Sequence, residues 1–206
     1  MILQLLSPDE AKEATDYLRA KELDGTLPRE DMHEMGEENH LSYQAYQDPV
    51  YCDIALKVQP KIEEAWGVKL YPTYTYSRLY KPGFILRPHR DRPACELSAT
   101  ITIGYGDRPS PWEISIEDDE GVEHEHILEP GMGMIYDGTK YHHWRYRLEQ
   151  GWQIQLFVHY VILGGKVYGD ILKEDPTFDF NEPFQDIKWT NNGFEIERRP
   201  DTFEKC

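Results

Sequence analysis

The sequence predicts a mainly β protein with flanking helices, a double-stranded β-helix of the jelly-roll, cupin-like kind. Two observations carry that reading. From Leu70 to Leu163 short runs of β-branched and aromatic residues follow one another, separated by turns rich in Gly and Pro. Before Leu70 the pattern is different, with two segments that carry helix start and stop signals. The 206 residues are within the usual size of one domain. We read them as a single domain, with an N-terminal helical region (1–70), a jelly-roll core (71–163) and a C-terminal wrapping tail (164–206).

The first helix is expected over residues 7–23. Ser7 suits the N-cap, Pro8 the first helical position, and Asp9 and Glu10 the first turn. Ala11, Ala14, Tyr17 and Leu18 then form an apolar stripe. Gly25 to Asn39 is polar and acidic without periodicity, and reads as a loop. A second helix is expected from about Asp48 to Trp66, where Pro60 predicts a kink or a split and Gly67 a C-terminal stop.

Strands follow. From Leu70 the pattern turns to strand, and Thr73 to Tyr80 alternates, with Tyr74, Tyr76, Arg78 and Tyr80 on one face. After the Pro82-Gly83 turn comes a strand holding His89 and Asp91, and then Leu97 to Ile103, on which Ser98, Thr100 and Thr102 share a face. Trp112 to Glu117 alternates as a half-solvated strand does. Asp118 to Gly121 is a hairpin turn into Val122 to Leu128. A strand to Tyr136, the Asp137-Gly138 turn, the His143 strand and Trp152 to Leu163 complete the core. The last of these reads as apolar on both faces, as a strand between a barrel interior and covering helices should. In the tail, Phe178, Phe180, Phe184, Trp189, Phe194 and Phe203 are expected to act as aromatic anchors.

Bulk properties exclude some functions. No apolar run approaches the ~18 residues needed to cross a bilayer. Met1 to Leu6 lacks a basic region and a cleavage site, so it does not read as a signal peptide. Three widely spaced Cys argue against a disulfide framework and for a reducing, cytoplasmic setting. The net charge is −16, from 38 acidic and 22 basic residues. Such a field repels phosphate backbones, so nucleic acid is not an expected partner. The acidity serves solubility first, and it leans towards a cationic prime substrate.

The chemistry is concentrated in His89-Arg90-Asp91 and His143-Trp144-Arg145. Residues i and i+2 of a strand point the same way, so His89 and Asp91 can enter one cavity, with the remaining ligand supplied by another strand. Two imidazoles and a carboxylate on one face of an octahedron form the facial site of non-haem iron(II) enzymes, with the opposite face open. The adjacent His142 and His143 must face opposite sides, so only one of them can enter. His124 and His126 share a strand face but stand among Glu123, Glu125 and an acidic turn, as in a solvated hairpin. His159 reads as a core histidine and Cys95 as a small buried thiol. His33 and His40 have no partner pattern.

Taken together, Tyr80-Lys81-Pro82-Gly83 ahead of His89, the H-x-D itself, and Gly131 to Tyr136 leading into His143 resemble the prolyl 4-hydroxylase-like branch of the iron(II)/2-oxoglutarate dioxygenases. In that branch a Tyr nine residues and a Gly six residues before the first ligand recur, which Tyr80 and Gly83 match. The resemblance covers about residues 71–163 and implies the same jelly roll. It also implies Fe(2+) held by His89, Asp91 and His143, with 2-oxoglutarate and dioxygen as cosubstrates. The distal His of the family lies eight residues before a Gly, as His143 does before Gly151, which selects His143 over His142. The activity implied is hydroxylation of a C–H bond in a peptide residue or small metabolite, with succinate and carbon dioxide as co-products.

One position departs from the pattern. Ten residues after the distal His the family places a Lys or Arg for the far carboxylate of 2-oxoglutarate, and here that residue is Gln153. A neutral amide binds a carboxylate less strongly than a cation does. Arg78, sharing a strand face with the cosubstrate tyrosine Tyr80, is expected to supply the charge, and Arg145 is the second choice. Two other functions fit the residues: a cupin-like metalloenzyme that does not use 2-oxoglutarate, and a metal-free binding module on the same scaffold.

Overall fold

The computed structural model describes residues 1–29, 42–165, 181–190 and 193–197, with 186–190 and 193–197 described through their backbone alone. His33, His40, Phe178, Phe180, Phe203 and most of the expected Gly25–Asn39 loop lie outside the described residues.

The first helix, α1 (Pro8–Leu23), begins where the sequence places it. Ser7 and Glu10 bond reciprocally in a capping box, and Ala11, Ala14 and Leu18 are buried. The second, α2 (Pro49–Trp66), is capped by the Asp48 side chain and closed by Gly67 in the left-handed conformation at φ 76°. Its buried stripe is Tyr51, Ala55, Val58 and Ile62, with Cys52 beside it. Pro60 does not split it. The proline lies on the exposed side, where the carbonyl it leaves unbonded can meet water.

Strands β1 (Ile2–Gln4), β2 (Ser42–Tyr46), β3 (Leu70–Tyr80), β5 (Leu97–Gly106), β8 (Met132–Tyr136) and β10 (Trp152–Ile162) form an antiparallel sheet in the order β1-β8-β5-β10-β3-β2. A second antiparallel sheet, in the order β4-β9-β6-β7, contains β4 (Leu86–His89), β6 (Ile114–Glu117), β7 (Glu123–His126) and β9 (His143–Arg145). Mostly antiparallel strands in two sheets, with two helices against one of them, make the expected jelly roll. Neither strand of a hairpin in the tail was anticipated, and outside the tail two more were not: β1, read only as an apolar start, and β2, which follows the acidic stretch. Both are short edge strands, where length gives little periodicity to read. In the tail, β11 (Asp186–Thr190) and β12 (Gly193–Glu197) form a hairpin that lies beside β3 and the Pro93–Cys95 turn.

The large sheet has two distinct faces. Its outer face carries Leu79, Leu97, Ala99, Ile101, Ile103, Ile135, Ile154, Leu156 and Val158, which join the helical stripes in the main core. Its inner face faces the second sheet. Here one expectation is corrected: β10 is apolar only on its outer side. Inward it presents Gln153, Gln155 and His159 along with Phe157, because Gln153 and Gln155 find partners in one another and Gln155 in Thr100 and Thr102.

Candidate metal centre and its pocket

β4 and β9 pair so that His89 and His143 are directly opposite in register, with ring centroids 4.3 Å apart. Asp91 lies just beyond the end of β4, not within a strand as the H-x-D spacing suggested. Its backbone N–H donates to Gly138 O at 2.8 Å, which ties it to the turn before β9. A side chain on Gly138 would place its first carbon 2.5 Å from Asp91 Oδ2 and 2.7 Å from Ser98 Oγ, so the close approach requires glycine.

Hydrogen bonds orient the three side chains. His89 Nδ1 lies 2.8 Å from Arg87 O and His143 Nδ1 3.2 Å from Tyr141 O. Donation from each Nδ1 fixes the tautomer and leaves Nε2 with a lone pair. Those Nε2 atoms lie 3.7 Å and 3.5 Å from Asp91 Oδ1. His89, Asp91 and His143 thus offer two imidazole nitrogens and a carboxylate oxygen within 4.8 Å of one another, a set able to hold a metal ion. The His89 side chain is 37% exposed and that of His143 4%, so the cluster opens to solvent on the β4 side.

The electrostatics keep the ligating forms. Burial, and then the neighbouring His143, lower the pKa of His89, so its ring is neutral at pH 7. For Asp91, burial works towards a higher value, but the close approach of the His143 ring, the nearby His159 and the hydrogen bond from Ser98 Oγ outweigh it and hold the carboxyl at about 2.

The cluster lies at one wall of a cavity of about 310 Å³. Tyr74, Tyr76, Arg78 and Tyr80 of β3 line it, with Phe157 and His159 of β10 and Tyr46 of β2. Arg78 donates from Nε to Tyr76 Oη at 3.2 Å and stacks over the Tyr76 ring. Gln153 is buried away from this surface. It accepts from Trp112 N at 2.5 Å and donates to Trp112 O and Gln155 Oε1 at 3.3 and 3.1 Å, so both ends of its amide are occupied.

Arg145 is a different case. It pairs in register with Leu86, a cavity-lining residue, and shares its strand face with His143. It is 1% exposed. One guanidinium nitrogen donates to Trp112 O and Glu113 O, whereas Nε and the other terminal nitrogen have no partner among the described residues. Burial lowers its pKa to about 10, which leaves it cationic at neutral pH.

Three other histidines have protein partners, and His159 also joins Asp91 and Cys95 in a second group of ligand atoms within 4.8 Å of one another. His142 faces away from the cluster and pairs with Glu117 at 3.1 Å. His124 pairs with Asp118 at 2.7 Å on the exposed hairpin. His159 is buried against Tyr74 with Nδ1 2.9 Å from Ser98 Oγ, and the Cys95 thiol lies 3.0 Å from Tyr74 Oη. Ser98 and Gly138, both in contact range of Asp91, were not singled out from the sequence. The inward Ser98/Thr100/Thr102 row was the available signal for the first.

No family model and no curated protein sequence matches the chain. Solved structures do. A Pseudomonas putida prolyl-4-hydroxylase superposes with a TM-score of 0.60 at 17% identity, over 78% of this chain and 90% of that one. HygX from Streptomyces hygroscopicus, solved with nickel, 2-oxoglutarate and hygromycin B, gives 0.58 at 11% identity, over 78% and 81%. The 2-oxoglutarate-dependent epimerase SnoN from nogalamycin biosynthesis gives 0.62 at 12% identity, over 95% and 91%. The chain therefore has the fold of these proteins.

Proposed function

We propose that the protein is an iron(II)- and 2-oxoglutarate-dependent oxygenase that hydroxylates a C–H bond of a small metabolite or a peptide residue. One observation supports this most: His89 Nε2, His143 Nε2 and Asp91 Oδ1 converge while each imidazole Nδ1 is engaged by a backbone carbonyl. Donors of this type suit ferrous iron. When bound, iron supplies the redox chemistry that couples decarboxylation of 2-oxoglutarate to succinate and carbon dioxide with substrate oxidation.

The chain's own residues would bind and orient. Of the two arginines, Arg145 is the better partner for the far carboxylate of 2-oxoglutarate. A buried cation with two unsatisfied nitrogens is costly alone, and an anion beside it relieves that cost. Tyr80 borders both the cavity and Arg145, as an orienting residue for that carboxylate would. Arg78, stacked on Tyr76 at the cavity wall, is better placed for the prime substrate. Gln153 supports the pocket by holding Trp112. No helix among the described residues is long and apolar enough to cross a membrane. We place the protein in a reducing, cytoplasmic compartment without nucleic-acid partners, a setting supported by its three widely spaced cysteines and by the charge of −16.

The test is succinate formation from 2-oxoglutarate by iron-loaded protein in air. Formation is expected to require iron, to vanish in His143→Ala and to persist in His142→Ala. Metal binding without succinate would favour a metalloenzyme that does not use 2-oxoglutarate, and absence of both a binding module. Loss of metal in His142→Ala but not in His143→Ala would overturn the ligand assignment.

A further inference from the structure

We propose that Ser98 and His159 are positioning residues that hold Asp91 to one metal-facing oxygen. This rests on the reading of His89, Asp91 and His143 as metal ligands and adds two residues, from the opposite sheet, that control how the carboxylate binds.

The hydrogen bonds can be given a direction. Ser98 Oγ lies 2.8 Å from Asp91 Oδ2, 3.4 Å from Cys95 O and 2.9 Å from His159 Nδ1. A hydroxyl has one proton to give. An ionised carboxylate only accepts, and it is both the closer and the more strongly bound acceptor. Ser98 therefore donates to Asp91, and the proton between Ser98 and His159 must come from His159 Nδ1. The result is a one-way chain, His159 to Ser98 to Asp91 Oδ2. All three residues are buried or nearly so, and the His159 ring is fixed against Tyr74 at a centroid distance of 4.4 Å.

The consequence lies on the other oxygen. With Oδ2 engaged, only Oδ1 faces the Nε2 atoms of His89 and His143. A carboxylate free to turn can chelate a metal through both oxygens and so take a coordination position. A facial three-ligand site needs its remaining positions open. Gly138 leaves room for this arrangement and for no larger side chain, since a carbon there would crowd both Asp91 Oδ2 and Ser98 Oγ.

The experiment titrates Co(II) into the purified full chain and follows affinity and the visible absorption of the bound ion. Ser98→Ala is expected to weaken Co(II) binding by roughly 10- to 100-fold, the usual effect of removing a partner of a metal ligand, and to change the absorption as the carboxylate reorients. Ser98→Thr, which keeps a hydroxyl, is expected to restore both. His159→Phe preserves the ring against Tyr74 but cannot donate. It is expected to weaken binding when Ser98 is present and to add nothing in the Ser98→Ala background, because it acts through the hydroxyl. His159→Phe alone carries the test if Ser98→Ala does not fold. Unchanged Co(II) affinity and absorption in Ser98→Ala would overturn the proposal. So would an equal effect of His159→Phe with and without the Ser98 hydroxyl. Retention of Co(II) by His143→Ala is a separate failure, that of the metal site itself.

Discussion

Arg145 shows what a single residue can reveal about a ligand. Folding alone gains little from a buried guanidinium with two idle nitrogens. Replacing a buried ion pair with hydrophobes of similar volume is often neutral or stabilising, by about 1–4 kcal/mol, and a buried guanidinium without a counter-charge has less attraction to lose. Arg145→Met is therefore expected to match or exceed the thermal stability of the unliganded protein while losing the added stability conferred by 2-oxoglutarate with metal. Arg78→Ala is expected to keep that ligand-induced shift. A large loss of unliganded stability in Arg145→Met would mean the arginine serves the fold. Glu96 offers a pH test. Burial, with the nearby Asp137 charge, raises its pKa although Ile162 N donates to it at 2.8 Å. The folded state then binds the proton more tightly than the unfolded one. Stability from this group is present at low pH and is lost as pH rises from the ordinary carboxylate value through the raised one. Glu96→Gln is expected to flatten that decline and raise the melting temperature at pH 7. An unchanged pH profile would contradict the assignment. The three candidate ligands were legible in the sequence because the H-x-D and the later histidine stand among residues that resemble a family pattern, which also chose His143 over His142. The distinction between Arg78 and Arg145 was not legible, since both occupy inward positions and only their packed surroundings differ.

At the scale of elements, boundaries marked by caps were readable. Ser7 with Glu10 starts α1, and Asp48 with Gly67 brackets α2. Effects decided by tertiary context were not. Pro60 is tolerated because its side of α2 meets water, and Asp91 stays in position beyond the end of β4 because Gly138 holds its backbone. The polar inner face of β10 also depends on context, as its amides are satisfied by residues on β5 and before β6. The tail provides a prediction at this scale. Phe184 is fully buried in the main core, and its N–H donates to Pro72 O at 2.9 Å. Phe184→Ala is expected to cost about 3–5 kcal/mol, the range for emptying an aromatic site in a core. A loss below 1 kcal/mol in denaturant unfolding would mean that this part of the tail does not anchor the domain.

The whole molecule combines an acidic exterior with a site between two sheets. The helices cover the outer face of the large sheet, so the inner face is left to polar and aromatic side chains around the candidate ligands His89, Asp91 and His143. That division explains why one protein can carry buried Gln, Ser, Thr and Arg without losing its core. It also makes the central claim open to a direct measurement: calorimetric titration of 2-oxoglutarate into the protein with and without a non-oxidising divalent ion such as Ni(II). Single-site binding that requires the metal and disappears in His143→Ala is the expected result. Binding of 2-oxoglutarate that is indifferent to metal, or no binding with metal present, would contradict the account.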